Sequence, residues 1–290
     1  VSKRFPKQRP LQPLLKWPGG KSRIAKRLSK MLPAHTSYVE PFAGGAAVFL
    51  YKPLAPNANV IGDYDKWVTD FYKDVAKGGL RKCRGGVKKS KGLFKRAGKA
   101  KSACYKIART GLSFQGGRKG YVGEGATAAA GTVMYKGKLA KFDQYEDKLS
   151  QANIIQGDFA KTMRRYDSPG TLHFLDPPWP YLEYTEQFYK GGKKNKLGGV
   201  SEGRLKKYKG TAFDPEHLKR VIKSMKGHVF MIINDHPKLR KTYCGKGSGL
   251  KCRIIKVATN IGNGNTTKNN LIVQKRGKQL SIVKMKVLRA

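Results

Sequence analysis

Apolar and polar positions along this chain fall into short blocks that switch between helical and strand periods. Ile24, Leu28 and Met31 recur on one face of Ser22–Met31, which predicts a short amphipathic helix. Tyr38-Val39-Glu40 ends a strand that runs into the glycine-containing turn Pro41–Ala46. Val48, Phe49 and Leu50 then predict a helix beginning near Ala46. Asn59–Asp63 reads as a second strand and Lys66–Val75 as the helix after it. Asn153–Gln156 is a third strand, ending at Gly157-Asp158, and Thr171–Leu175 is a buried fourth. Pro215–Met225 reads as a helix, with Asp214 placed as its N-cap. Val229–Ile233 is the fifth strand, and Arg253–Val257 and Asn270–Gln274 form a closing pair across the loop Gly262–Asn269. Strands alternating with helices imply an α/β fold with a mostly parallel sheet and ligands at its carboxyl edge. The last pair, with little chain between its strands, is expected to be antiparallel.

Two stretches break the alternation. Lys77–Ser150 is far longer than a crossover needs. It is rich in Gly, Lys and Arg, with Tyr105, Phe114, Tyr121 and Tyr135 interspersed. It reads as an inserted subdomain, partly helical, with a hairpin near Gly116–Lys138. Tyr181–Gly210 is a second, looser insert whose Gly-Gly-Lys-Lys-Asn-Lys run argues for a mobile loop. The expected organisation is a basic, proline-rich arm over residues 1–13, a catalytic core over 14–76 and 151–275, the insert over 77–150, and a basic tail over 276–290.

Charge narrows the partner. The chain carries 61 Lys+Arg against 18 Asp+Glu, a formal net charge of +43. Such a chain repels itself unless it meets a polyanion; nucleic acid is the expected one, with an anionic membrane as the alternative. No apolar run approaches the ~20 residues that span a bilayer. No signal peptide is visible after Val1, so an intracellular, nucleic-acid-associated location is expected, in cytoplasm, nucleoid or a viral particle, rather than secretion. Cys83, Cys104, Cys244 and Cys252 show neither C-x-x-C nor zinc spacing and read as reduced, mostly buried thiols. No His/Cys constellation suggests a metal.

With acids so scarce, those at strand ends stand out: Glu40, Asp63, Asp158 and Asp176. Asp176-Pro177-Pro178-Trp179 is the most informative motif. Two prolines in a row fix φ and lack N–H groups, so strand and helix both stop there. The resulting turn offers a carboxylate, a backbone carbonyl and an aromatic face, a set that suits a planar base with an exocyclic amine. Lys16-Trp17-Pro18-Gly19-Gly20-Lys21 combines glycines, lysines and a stacking face ahead of the first helix. Glu40–Phe49 places an acid at a strand end, then a glycine turn into a helix, as α/β sheets do around an adenosine-containing cofactor. It lacks the G-x-G-x-x-G dinucleotide fingerprint. Asp63 is placed to accept from ribose hydroxyls. Asp158 suits either an adenine amine or a helix N-cap.

In this order, Lys16–Lys21, Glu40–Phe49, Gly62-Asp63, Gly157-Asp158-Phe159 and Asp176–Trp179 resemble the DNA adenine methylase (Dam) family. Tyr208 with Phe213–Leu218, and Phe230–Asp235, are also similar. The resemblance implies a Rossmann-like methyltransferase with a mixed, mostly parallel seven-stranded sheet and an inserted target-recognition subdomain. It implies S-adenosylmethionine as cofactor, bound by Trp17, Lys21, Glu40, Phe42, Gly44, Asp63 and Asp158. It implies methyl transfer to the N6 amine of a flipped adenine held by Asp176, Pro177, Pro178 and Trp179. Lys16 and the insert, including Arg109, Arg118, Lys119 and Tyr121, are expected to face double-stranded DNA. Two positions depart from the family: Trp179 stands where Tyr is usual, and Ala46 where a further Gly is common. If that turn needs positive φ, the Cβ of Ala46 interferes. Two other readings keep the scaffold: an RNA adenine methyltransferase, and an inactive, nucleic-acid-packing component of a larger particle.

Overall fold

A computed structural model describes residues 10–83, 91–99, 101–113, 116–118, 121, 141–180, 214–261 and 264–277, with residues 82, 259–261 and 264–266 described by backbone alone. The Leu28 face of Ala25–Met31 is buried, and this helix is α1. Ser37–Glu40 is β1, Ala47–Tyr51 is α2 and Ala58–Asp63 is β2. Asp65 caps the next helix, α3, Lys66–Ala76, by accepting the Trp67 N–H, a bond of a kind worth about 1 kcal/mol. A 3-10 turn, Gly79–Cys83, leads to α4, Lys91–Lys99, α5, Ala103–Gly111, and α6, Phe142–Ser150. β3, Asn153–Gln156, is followed by α7, Phe159–Arg165, and by β4, Thr171–Leu175. Asp214 accepts from the Glu216 N–H and starts α8, Pro215–Ser224, with proline in the first turn as expected. His228–Asn234 is β5, Pro237–Cys244 is α9, Lys251–Ile261 is β6 and Gly264–Lys275 is β7.

The strands form one seven-stranded sheet in the order β3-β2-β1-β4-β5-β7-β6. β2–β3, β1–β4 and β4–β5 pair in parallel, whereas β5–β7 and β6–β7 are antiparallel. This is the mixed, mostly parallel, Rossmann-like sheet that the sequence leads one to expect. The strand order reverses between β1 and β4, which puts a topological switch point at the carboxyl ends of those two strands.

The chain divides into two compact units, one of Val1–Met31, Ala43–Leu54 and Asn59–Gly157, the other of Leu32–Phe42, Ala55–Ala58 and Asp158–Ala290. In the first unit, Phe71, Tyr72 and Val75 of α3 are buried with Phe49 and Leu50 of α2. Leu11, Leu14 and Leu15 are buried too, and the Leu11 N–H donates to the Leu50 carbonyl at 3.1 Å. Leu11–Pro13, the end of the expected arm, therefore lies on this unit; residues 1–9 are outside the described residues. Lys148, 3 % exposed, donates to the carbonyls of Leu50 and Lys52 and so staples the end of α2 to α6. Burial pulls its ammonium down to about 8. The insert has its own small core of Leu93, Phe94, Ala97, Ala108 and Leu112. An isolated antiparallel bridge joins Ser113 and Tyr121, and the hairpin expected near Gly116–Lys138 falls mostly on residues 119–120 and 122–140, outside the described residues.

The second unit packs Leu218, Val221 and Ile222 of α8 and Leu239 and Tyr243 of α9 onto Met231 and Ile233 of β5 and Val273 of β7. Each such side chain contributes roughly 1.5–3 kcal/mol on full burial. The closing hairpin is longer than expected. Its ladder continues to Ile261↔Gly264, so most of the segment read as loop is strand. Asn and Gly are poor strand formers, but β-ladder pairing overrides a weak local preference. The insert read over Tyr181–Gly210 and the tail beyond residue 277 lie outside the described residues.

The cysteine expectation is corrected. Cys83 is joined to Cys104 with Cα atoms 5.5 Å apart, and Cys244 to Cys252 with Cα atoms 5.8 Å apart. Both separations lie within disulfide range. Spacings of 21 and 8 residues do not advertise these pairs, because the partners meet only through tertiary packing of the 3-10 turn on α5 and of α9 on β6.

Candidate active site

In the second unit, β1 ends at Glu40 and β4 at Leu175, next to each other in the sheet and parallel. Asp176 follows directly, half-buried, with Pro177 buried and Pro178 exposed. Glu40 is 2 % exposed, and its Oε2 accepts the Tyr38 hydroxyl at 2.7 Å. Burial, then the charge of Glu40 and its hydrogen bond, and then the charge of Asp176 hold the Tyr38 phenol well above its ordinary range. Glu40 and Asp176 thus flank the same tyrosine, a residue that the sequence reading did not single out. Trp179 packs on the core of this unit, as do Phe42 and Phe159. The rings of Phe42 and Phe159 stack at 5.1 Å. Asp158 takes the cap reading: its Oδ1 accepts from the N–H groups of Ala160 at 2.9 Å and Lys161 at 3.1 Å. Asn234, at the end of β5, donates from Nδ2 to the Pro180 carbonyl at 2.9 Å and ties down the exit of the proline turn.

In the first unit, a second group gathers around Gly44 and Asp63. The Gly44 N–H donates to Asp63 Oδ2 at 2.9 Å, and the Asp65 N–H to Asp63 Oδ1 at 2.8 Å. Burial raises the Asp63 carboxyl to about 6, against the lowering effect of those two N–H groups. The Tyr72 hydroxyl donates to the Gly44 carbonyl at 2.8 Å. Gly44 has φ 44°, and a Cβ there would lie 2.6 Å from Trp17 Nε1, so the turn requires glycine on both counts. Ala46 also adopts left-handed backbone, φ 48° and ψ 39°. The position where the family commonly has glycine therefore does take positive φ, and this chain carries the strain of a Cβ there, about 1–2 kcal/mol. Lys21 is 6 % exposed and donates from Nζ to the Gly19 carbonyl at 2.7 Å.

These residues suit an adenosine-containing cofactor. Each Asp63 oxygen accepts one backbone N–H, and a carboxylate oxygen has room for a second donor such as a ribose hydroxyl. The Trp17 ring packs against the Gly44 backbone and supplies a flat aromatic wall.

The insert residues expected to face DNA have mostly internal partners. Arg109 Nε donates to the Arg118 carbonyl at 2.8 Å and Nη1 to the Phe94 carbonyl at 2.6 Å, with the guanidinium 3.6 Å from the Phe94 ring centre. The Tyr121 ring lies 5.5 Å from that of Phe94. Arg118 pairs with Asp65 at 2.6 Å. Lys16 is exposed, its backbone N–H donating to Thr110 Oγ1 at 3.3 Å. Lys119 lies outside the described residues. Asp65, Trp67 and Tyr72 were missed; only an acid just before a helix could have flagged Asp65.

Residues 17–110 match the family model of the D12 class N6 adenine-specific DNA methyltransferases. The match takes in Trp17, Lys21, Glu40, Phe42, Gly44 and Asp63 and stops before the proline turn. The type II methyltransferase M.CviBI of Paramecium bursaria Chlorella virus NC1A is 35% identical over 69 residues, 23% of this chain and 26% of the relative. The type II methyltransferase M1.LlaDCHI of Lactococcus lactis subsp. cremoris is 33% identical over 66 residues, 22% of each chain. The similarity thus spans about a quarter of the length of these relatives. Among the described residues, no helix is long and apolar enough to cross a membrane.

Proposed function

We propose that this chain transfers a methyl group from S-adenosylmethionine to the N6 amine of adenine in DNA after flipping the base. The observation that carries the reading is the Asp176-Pro177-Pro178-Trp179 turn at the carboxyl end of β4, beside Glu40 and at the point where the strand order reverses. The D12 match over residues 17–110 supports the same chemistry. By the family resemblance, Trp17, Lys21, Glu40, Phe42, Gly44, Asp63 and Asp158 would hold the cofactor, which supplies a methyl group on a sulfonium.

The protein's part is positioning. An amine inside a duplex is out of reach, so the base must leave the stack at a cost of a few kcal/mol. Trp179 offers a stacking face worth ~1–3 kcal/mol. The adenine amine is a weak nucleophile because its lone pair is delocalised into the ring. Asp176 and the Pro177 carbonyl each accept one amine hydrogen, which favours a pyramidal nitrogen with an available lone pair. Asp176 also stabilises the positive charge that develops on that nitrogen. The 77–150 insert is assigned to target recognition and the basic surface to the phosphate backbone.

Incubating the chain with methyl-labelled S-adenosylmethionine and a mixture of DNA and RNA, then digesting to nucleosides, tests the proposal. Label in N6-methyldeoxyadenosine is expected. Label only in N6-methyladenosine moves the substrate to RNA, and no label in either rejects the activity. The charge of +43 favours one second reading, a polyanion-binding scaffold without catalysis. Calorimetric binding of S-adenosylmethionine separates the two, since that scaffold needs no cofactor.

A further inference from the structure

Arg118 was expected at the DNA surface, yet its contacts run to the Asp63 turn. Its backbone is left-handed, φ 62°, a conformation uncommon for residues other than glycine. Two bonds hold that twist: its N–H donates to Ser113 Oγ at 3.0 Å, and its carbonyl accepts Arg109 Nε at 2.8 Å. The guanidinium Nη2 donates to Asp65 Oδ2 at 2.6 Å, with the two side chains only 22% and 31% exposed. It also lies 4.6 Å from the Trp67 ring centre and 5.6 Å from that of Trp17. Asp65 in turn caps α3 through Oδ1 and donates its own N–H to Asp63. Asp63 holds the Gly44 N–H, and Gly44 abuts Trp17. The path from Arg118 through Asp65, Asp63 and Gly44 to Trp17 closes on itself.

We infer that Arg118 is a positioning residue of the cofactor site: it neutralises Asp65 and braces Trp17 and Trp67, so that the insert sets the Asp63 carboxylate for the ribose. The inference rests on the methyltransferase reading and deepens it. The charged groups acting on Asp63 are Asp65, which disfavours its ionisation, and Arg118, which favours it. Lys106 lies 5.1 Å from the Trp67 ring and donates to the Trp67 carbonyl, and the Tyr72 hydroxyl meets the Gly44 carbonyl. Without Arg118, the Asp65 charge stands unopposed beside Asp63. Cofactor binding should then weaken, and the pH at which it is half lost should rise. Without the Asp65 charge, that pH should fall.

The test is calorimetric titration of the full chain with S-adenosylhomocysteine between pH 5 and 8. Wild type should bind, losing affinity below about pH 6. Arg118→Gln should have its midpoint raised by roughly half to one unit, which alone weakens binding at pH 7 by up to about twofold. Arg118→Lys should keep the wild-type midpoint, and Asp65→Asn should lower it. The affinity of Arg118→Gln for a DNA duplex at fixed salt, read by fluorescence anisotropy, should stay within about threefold of wild type, the loss of one phosphate contact at most. An unshifted midpoint with undiminished affinity in Arg118→Gln overturns the inference, and a selective loss of DNA affinity returns the residue to the DNA surface. Should that variant fail to fold, Asp65→Asn decides alone, because a rise or no change in its midpoint contradicts the inference. A wild-type chain that ignores S-adenosylhomocysteine overturns the methyltransferase reading and this inference together. A binding wild type with a silent Arg118→Gln overturns only the latter.

Discussion

Ala46 shows how opposing residue-scale effects can cancel. Its left-handed backbone costs ~1–2 kcal/mol. Replacing it with glycine removes that cost but loses a buried methyl, ~0.8 kcal/mol, and gives the unfolded chain ~0.4–1 kcal/mol of extra entropy. Ala46→Gly is therefore expected to change stability by less than about 1 kcal/mol in denaturant unfolding, whereas Ala46→Val should destabilise by more than 2 kcal/mol through strain and overpacking of a buried position. Asp63 gives a pH signature. Its folded carboxyl titrates at about 6, above its unfolded value, so the folded state binds the proton more tightly. Its contribution to stability is present at low pH and lost as pH rises from about 4 through about 6. The loss, on the order of 3 kcal/mol, should disappear in Asp63→Asn when unfolding is followed across that window. Asp63 and the Gly44 turn were legible in the sequence as a strand-end acid and a glycine turn, whereas Ala46 stood out only against the family pattern, which commonly has glycine there. The Arg118–Asp65 pair was not legible, since 53 residues separate partners that only folding brings together.

At the scale of elements, strands β3 and β4 have the bounds that the apolar pattern gave them, and α8 starts at its predicted cap. Helices α7 and α9 escaped notice because they are short and basic, and α9 is capped by His236, a residue type that seldom signals a helix start. The cysteines were misread for the related reason that pairing depends on packing between elements. The two bonds should contribute about 3 kcal/mol for Cys83–Cys104 and about 2.5 kcal/mol for Cys244–Cys252, from loop closure. Alkylating the denatured, unreduced chain should label none of the four cysteines. Four labelled thiols would restore the reduced reading.

Across the whole molecule, the α/β class and the seven strands were readable from the alternation of periods, and the Asp-Pro-Pro-Trp turn stands where the fourth strand was expected to end. A chain of charge +43 that binds DNA through phosphates should lose about a thousandfold in affinity between 50 and 200 mM salt. A flat response would leave the lysines merely solvated. The role of the Asp176 carboxylate is decided by two measurements on Asp176→Ala: methyl transfer to an adenine-containing duplex, and affinity for that duplex at fixed salt. Transfer is expected to be abolished while affinity stays within a few-fold of wild type. Transfer at the wild-type rate in that variant would remove Asp176 from the catalytic turn.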